Sequence, residues 1–176
     1  MEQPTISYTT LTTPLGTMLA AAEGNALTGL WFEGQRWFPE LDDNWRRDDD
    51  LPLFADVARQ LDEYFAGRRR VFDVPLVPRG SRATPFQRAV WNAIAAVPLG
   101  TTSTYRSLAT SCGNARGLRA AGAATGRNPI SLIIPCHRIV GSDGSLTGYA
   151  GGLERKRTLL AHEAALATSH GRGMGG

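Results

Sequence analysis

The chain has only 2 cysteines, Cys112 and Cys136, and 3 histidines, His137, His162 and His170, in 176 residues. Two thiols build no disulfide framework, and the histidines fall at none of the spacings that wrap a tetrahedral ion, so neither cross-links nor a metal are expected. No apolar run approaches the roughly 20 residues a membrane helix needs, and no basic-then-apolar leader opens the chain. A soluble, cytoplasmic protein is the expectation. Lysine is nearly missing, since Lys156 is the only one among 19 basic residues. Acids are nearly missing from the second half. Residues 79–176 hold 12 Lys plus Arg against 3 acids, whereas residues 1–78 hold 7 Arg against 13 acids. A basic half of this kind favours a polyanion, most simply nucleic acid, although an Arg-rich composition alone gives the same count.

What is present reads as two segments. Residues 6–11, 18–22 and 26–32 have the character of short strands, separated by Pro14-Leu15-Gly16 and Glu23-Gly24-Asn25, so a small antiparallel sheet is expected. Residues 34–50 read as an irregular excursion. Phe54, Val57, Leu61 and Phe65 recur at helical spacing ahead of Gly67, which predicts an amphipathic helix covering the sheet. Residues 71–76 are expected to add a strand. The Pro-rich stretch 75–85 is the most linker-like, which sets the expected domains at 1–78 and 79–168, with a disordered tail at 169–176. Within that stretch, residues 76–81 match a sequence often engineered for protease cleavage.

Thr84-Pro85-Phe86-Gln87 combines a capping box with proline at the first helical position, so a helix starts there. Thr102 and Ser103 are expected to cap a short helix to about Ser111. A Cys112-Gly113-Asn114 turn and a second helix over about 116–125 then read as helix-turn-helix or as a plain helical hairpin. Arg116, Arg119 and Arg127 lie on or beside that second helix, whose run Ala120 to Ala124 is nearly flat, suited to a nucleic-acid groove or to close helix packing.

The stretch 130–140, I-S-L-I-I-P-C-H-R-I-V, reads as a short buried strand that delivers Cys136 and His137 directly after Pro135, which ends strand pairing. Neighbours on a strand point to opposite faces, so His137 reaches the Cys136 sulfur only through a bend or a bridging water. An ordinary thiol is only a few per cent ionised at neutral pH, and help in removing its proton is needed if Cys136 is a nucleophile. Alone, the pair fits equally a buried structural Cys beside a surface His. Ser142-Asp143-Gly144-Ser145 is a turn, 147–152 is a Gly-rich loop able to wall a pocket, and Leu153, Lys156, Leu160 and Glu163 share one stripe of a last helix over about 153–167. An inward Glu163 needs a partner, for which a histidine is a candidate.

Taken together, T-P-F-Q-x-x-V-W from Thr84, T-x-x-T-Y from Thr101, R-A-x-G from Arg119, N-P-I-x-x-I-I-P-C-H-R-I-V from Asn128, L-T-G-Y-A-G-G-L from Leu146 and L-L-x-H-E from Leu159 resemble the O6-alkylguanine-DNA alkyltransferases. The resemblance spans about 84–163. It implies an α+β chain, with a small ribonuclease H-like sheet-plus-helix domain before a mostly helical, winged-helix-like domain. It implies single-turnover DNA repair without a cofactor, in which the alkyl group of O6-alkylguanine moves irreversibly to Cys136. O4-alkylthymine is an open second lesion. By the same resemblance His137 is the water-linked base, Glu163 its orienting carboxylate and Asn128 the brace of the turn. Tyr105 is the phenol that donates to the leaving guanine, and Tyr149 and Ala150 line the pocket. Arg119, Ala120 and Thr125 meet double-stranded DNA in the minor groove, Arg119 filling the stack behind a flipped nucleotide. Leu118, Ala121 and the turn Asn114-Ala115-Arg116 depart from the family pattern. A lesion binder without chemistry and a helix-turn-helix regulator are the competing readings; the first usually has Trp in place of the Cys.

Overall fold

The computed structural model describes residues 3–78 and 83–171. The chain divides into two compact units, 1–81 with 129–131 and 82–128 with 132–176.

The first unit is built on a four-stranded sheet in the order β3-β2-β1-β4, with β1 Ile6–Thr13, β2 Gly16–Glu23, β3 Ala26–Phe32 and β4 Trp45–Arg47. β1, β2 and β3 form an antiparallel meander because Gly16 and Gly24 take positive φ at the two tight turns. β4, inside the segment expected to be irregular, pairs parallel with β1 through Ile6 and Trp45. The sheet is therefore mixed rather than purely antiparallel. Trp45 is a single apolar anchor in an acidic stretch, too little for a strand pattern, and its burial with Ile6, Leu19, Ala21 and Trp31 on one sheet face holds β4 in place. On β3 the register skips Thr28, which makes it the extra residue of a bulge.

Helix α1, Pro52–Phe65, packs against β1 and buries Leu53, Phe54, Val57, Leu61 and Tyr64. Tyr64, rather than the expected Phe65, completes the apolar stripe. Gly67 at φ 78° ends the helix in a Schellman arrangement, in which Arg68 N donates to Glu63 O and Gly67 N to Tyr64 O. The strand expected over 71–76 does not form. It shrinks to one bridge between Leu27 and Leu76, since Pro75 has no N–H to extend a ladder. Residues 129–131 also belong to this unit, where Leu30 N donates to Pro129 O and Ser131 N to Leu30 O.

The second unit opens with α2, Pro85–Ala95, and the capping box is present in full: Thr84 Oγ1 accepts from Gln87 N while Gln87 Oε1 accepts from Thr84 N. β5 Ser103–Thr104 leads into α3, Tyr105–Ser111, whose cap is Thr104 rather than Thr102 or Ser103. α4, Leu118–Gly126, packs on α2 and α3, and Trp91 Nε1 donates to Ala124 O at 2.8 Å. β6 Ile139–Val140 pairs parallel with β5. α5, Leu153–Gly171, runs past its expected end into the segment expected to be a disordered tail. Residues 172–176, and residues 79–81 of the protease-site-like stretch, lie outside the described residues. No helix among the described residues is long and apolar enough to cross a membrane.

Thr84→Ala removes one side of the capping box at an exposed helix start, and thermal unfolding should register a loss of about 1 kcal/mol without a change of fold.

Candidate active site

The apolar run before Cys136 is not the expected strand. After single bridges at Ile130 and Ser131 the chain turns at Leu132, which holds φ 77° while 1 % exposed, a conformation that costs a β-carbon residue roughly 1–3 kcal/mol. Pro135, at φ −83° and ψ 65°, is the centre of an inverse γ-turn closed by Cys136 N donating to Ile134 O at 2.8 Å. Cys136–Arg138 then form one 3-10 turn. Proline thus ends extended geometry as expected, and the bend that the Cys–His pair required is this turn. Asn128 is buried and its Nδ2 donates to Ile134 O at 2.7 Å, so it braces the turn one residue before Pro135.

Behind the turn lies a row of buried charge. His137, 0 % exposed, has Nε2 2.8 Å from Glu163 Oε1. Arg138 forks onto the same carboxylate, Nε donating to Oε2 at 2.8 Å and Nη2 to Oε1 at 2.9 Å, while its Nη1 donates to Val97 O at 2.6 Å. Burial alone would raise the Glu163 carboxyl, but the donors from His137 and Arg138 outweigh it and hold it at about 2. Burial lowers the His137 imidazole below its ordinary value against the pull of Glu163. It raises the Cys136 thiol against an Asn128 hydrogen bond and the charge of Lys156. At neutral pH the row is therefore a thiol, a neutral imidazole and a carboxylate. His137 Nδ1 is buried and has no hydrogen-bond partner among the described residues. The arrangement can accept a proton at His137 and spread the resulting charge onto Glu163.

Pairing of β5 with β6 sets Thr104 beside Val140, and so brings the start of α3 to the end of the Cys-His-Arg turn. Tyr105 lies half-buried there, its hydroxyl donating to Thr147 O at 2.9 Å. Burial raises the phenol above its ordinary value, and the Cys136 charge adds to this. Tyr149 and Ala150 are half-buried in the same Gly-rich loop, which starts after a closed Asp143-Gly144 turn. Lys156, 0 % exposed, ties that loop down: its Nζ donates to Ile139 O at 2.5 Å and to Thr147 O and Gly148 O at 3.3 Å.

Arg119 and Ala120 are exposed on α4, as a nucleic-acid contact requires. Thr125 is placed differently from the expectation: it is buried, and its hydroxyl donates back to Ala121 O at 2.7 Å, one helical turn earlier. The sequence reading assigned no role to Arg138 or Lys156. Their signals were an arginine directly after the Cys–His pair and a lone lysine on an inward helix stripe. Among the described residues no group of three His, Cys, Asp or Glu could hold a metal ion.

Residues 85–165 match the family model described as 6-O-methylguanine DNA methyltransferase, DNA binding domain, and residues 6–78 match its ribonuclease-like domain. The methylated-DNA–protein-cysteine methyltransferase of Haemophilus influenzae is 43% identical over 157 residues, 89% of this chain and 85% of that one. The chain belongs to this methyltransferase family. The Methanosarcina acetivorans methyltransferase is 42% identical over 156 residues, 89% of this chain and 97% of its own. A crystal structure of Mycobacterium tuberculosis OGT in complex with DNA matches with a TM-score of 0.82 at 40% identity, covering 91% of this chain and 93% or more of that one, 94%. The mixed α+β architecture is thus the methyltransferase fold.

Because the folded Glu163 carboxyl sits at about 2 against an ordinary 4.5, the unfolded chain takes up this proton first on acidification. Its contribution, on the order of 3 kcal/mol, is complete above pH 4.5 and disappears as pH falls towards 2. Denaturant titrations across that window should show the loss in the native protein and a flatter profile in Glu163→Gln.

Proposed function

We propose that this methyltransferase repairs alkylated double-stranded DNA by a single-use transfer in which Cys136 is the acceptor. The Cys136 sulfur attacks the alkyl carbon on guanine O6, a sulfur–carbon bond forms and the carbon–oxygen bond breaks. The thiol proton passes to His137 Nδ1 through a water, and Glu163 stabilises the imidazolium that results. Guanine leaves with a proton donated by the Tyr105 hydroxyl, which exchanges its Thr147 carbonyl for the base. A thioether has no ready leaving path, so each molecule acts once. The observation that carries this reading is the buried His137–Glu163 hydrogen bond of 2.8 Å directly behind Cys136. Among relatives, the name methylated-DNA–protein-cysteine methyltransferase supports the same chemistry.

Asn128 braces the nucleophile's turn, and Tyr149 with Ala150 walls the base pocket. DNA is met by the helix-turn-helix of α3 and α4 in the minor groove. Exposed Arg119 fills the stack after the damaged nucleotide swings out, and Ala120 allows α4 a close approach. Thr125 supports this surface from behind by fixing the last turn of α4. All of these residues fall in 79–168, which is the repair module, with 1–78 as its companion domain. The site of action is the cytoplasm.

Incubation with an oligonucleotide carrying O6-methylguanine should add the mass of one methyl group, less a proton, to the intact protein. Peptide mapping should place it on Cys136. Transfer that persists in Cys136→Ala would reject the assignment. Arg119→Ala should slow repair in duplex DNA by about tenfold or more, the cost of an unfilled stack, while reaction with free O6-alkylguanine base is unchanged. Equal losses on both substrates would remove Arg119 from the flipping step.

A further inference from the structure

The guanidinium of Arg138 is anchored at both ends. Its fork covers both Glu163 oxygens at 2.8 and 2.9 Å, and Nη1 holds the Val97 carbonyl at 2.6 Å just beyond α2, so it has no other position to take. Arginine donates only and does not lose its proton. A proton on Oε2 would face Arg138 Nε–H, and a proton on Oε1 would face Nη2–H, so neither oxygen of Glu163 has room for one. The carboxylate is held as a pure acceptor. The His137 nitrogen at 2.8 Å from Oε1 must then be an N–H, which leaves the lone pair on Nδ1.

Charge adds a second consequence. The groups facing His137 are Glu163 and Lys156 from α5, and Cys136 and Arg138 from its own turn. A carboxylate buried to 1 % exposure beside an imidazole and no other cation would draw a proton onto that imidazole, because an uncompensated buried charge is costly. An imidazolium made in advance cannot take the thiol proton. We propose that Arg138 is a positioning residue that supplies the permanent counter-charge for Glu163, so that His137 waits as a neutral Nε2–H imidazole with Nδ1 free to accept a proton from Cys136. The consequence for transfer rests on Cys136 being the alkyl acceptor, but the protonation state of His137 does not.

Nitrogen-15 NMR of the histidine ring in the full-length native protein without DNA tests the state directly. His137 should show the neutral Nε2–H tautomer at neutral pH; an imidazolium, or the Nδ1–H tautomer, would overturn the proposal. Arg138→Met should raise the apparent His137 pKa by about one unit or more. It should move the pH dependence of methyl transfer to Cys136 upward by the same amount, with transfer at neutral pH falling about tenfold. Arg138→Lys, which keeps the charge without the fork, should retain the native pH profile while melting earlier, and this variant carries the test if Arg138→Met does not fold. In the double variant Arg138→Met, Glu163→Gln no carboxylate is left to charge His137, so its titration should not move upward. An unchanged His137 titration in Arg138→Met, or an upward-shifted profile in Arg138→Lys, would show that Arg138 serves packing alone. A native protein that takes no methyl group on Cys136 rejects the proposed function, while the ring titration still decides the role of Arg138.

Discussion

A carboxylate without water is the constraint on which the second unit depends. Glu163 is 1 % exposed on α5, and an ion buried so completely persists only when its lone pairs are filled by donors. Three N–H groups do so, one from His137 and two from Arg138, all contributed by a single 3-10 turn. Satisfying that charge therefore specifies where the turn sits against α5, which ring nitrogen of His137 carries hydrogen, and where the free lone pair remains. Arg138 also caps the Val97 carbonyl left open past the end of α2. One electrostatic requirement thus joins three elements of the fold and sets the protonation state of the site.

The backbone before Cys136 is arranged to the same end. A β-strand would put Cys136 and His137 on opposite faces, whereas the inverse γ-turn at Pro135 followed by the 3-10 turn redirects both. The left-handed Leu132 is the cost of turning the chain so tightly, and the buried Asn128 side chain, bonded to Ile134 O, is the restraint that offsets it. The thiol this produces is buried and protonated at rest, with Asn128 and Lys156 opposing the desolvation of its anion. A nucleophile kept neutral until a proton acceptor is engaged suits a protein that can react only once, since a standing thiolate would be open to oxidation or stray alkylation.

Lys156 links this reactivity to the pocket loop. Its ammonium is buried, and the carbonyls of Ile139, Thr147 and Gly148 replace its water shell. Two of those carbonyls belong to the loop that also receives the Tyr105 hydroxyl. The same cation therefore shapes the loop by hydrogen bonding and favours the Cys136 anion by charge.

Much of this was legible in the amino-acid order because it is local chemistry. The capping box at Thr84 and Gln87, the C-terminal Gly67, the turns of the β1–β3 meander and the break at Pro135 each follow from the conformational limits of a few neighbouring residues. The inward stripe of α5 placed Glu163 by periodicity alone. Elements that depend on partners distant in sequence were misread. β4 exists because Trp45 finds the sheet face, residues 71–76 stay irregular because Pro75 cannot extend a ladder, and 130–134 is a turn because the strand pattern of an apolar run is indistinguishable from that of a buried loop. What the sequence by itself determined was the set of reactive groups and the helices and turns that carry them. Only the tertiary structure decided that Arg138 would claim both oxygens of Glu163 and that Lys156 would lie under the pocket loop, since partners of buried charge are chosen by desolvation and geometry in three dimensions, which spacing along the chain does not encode.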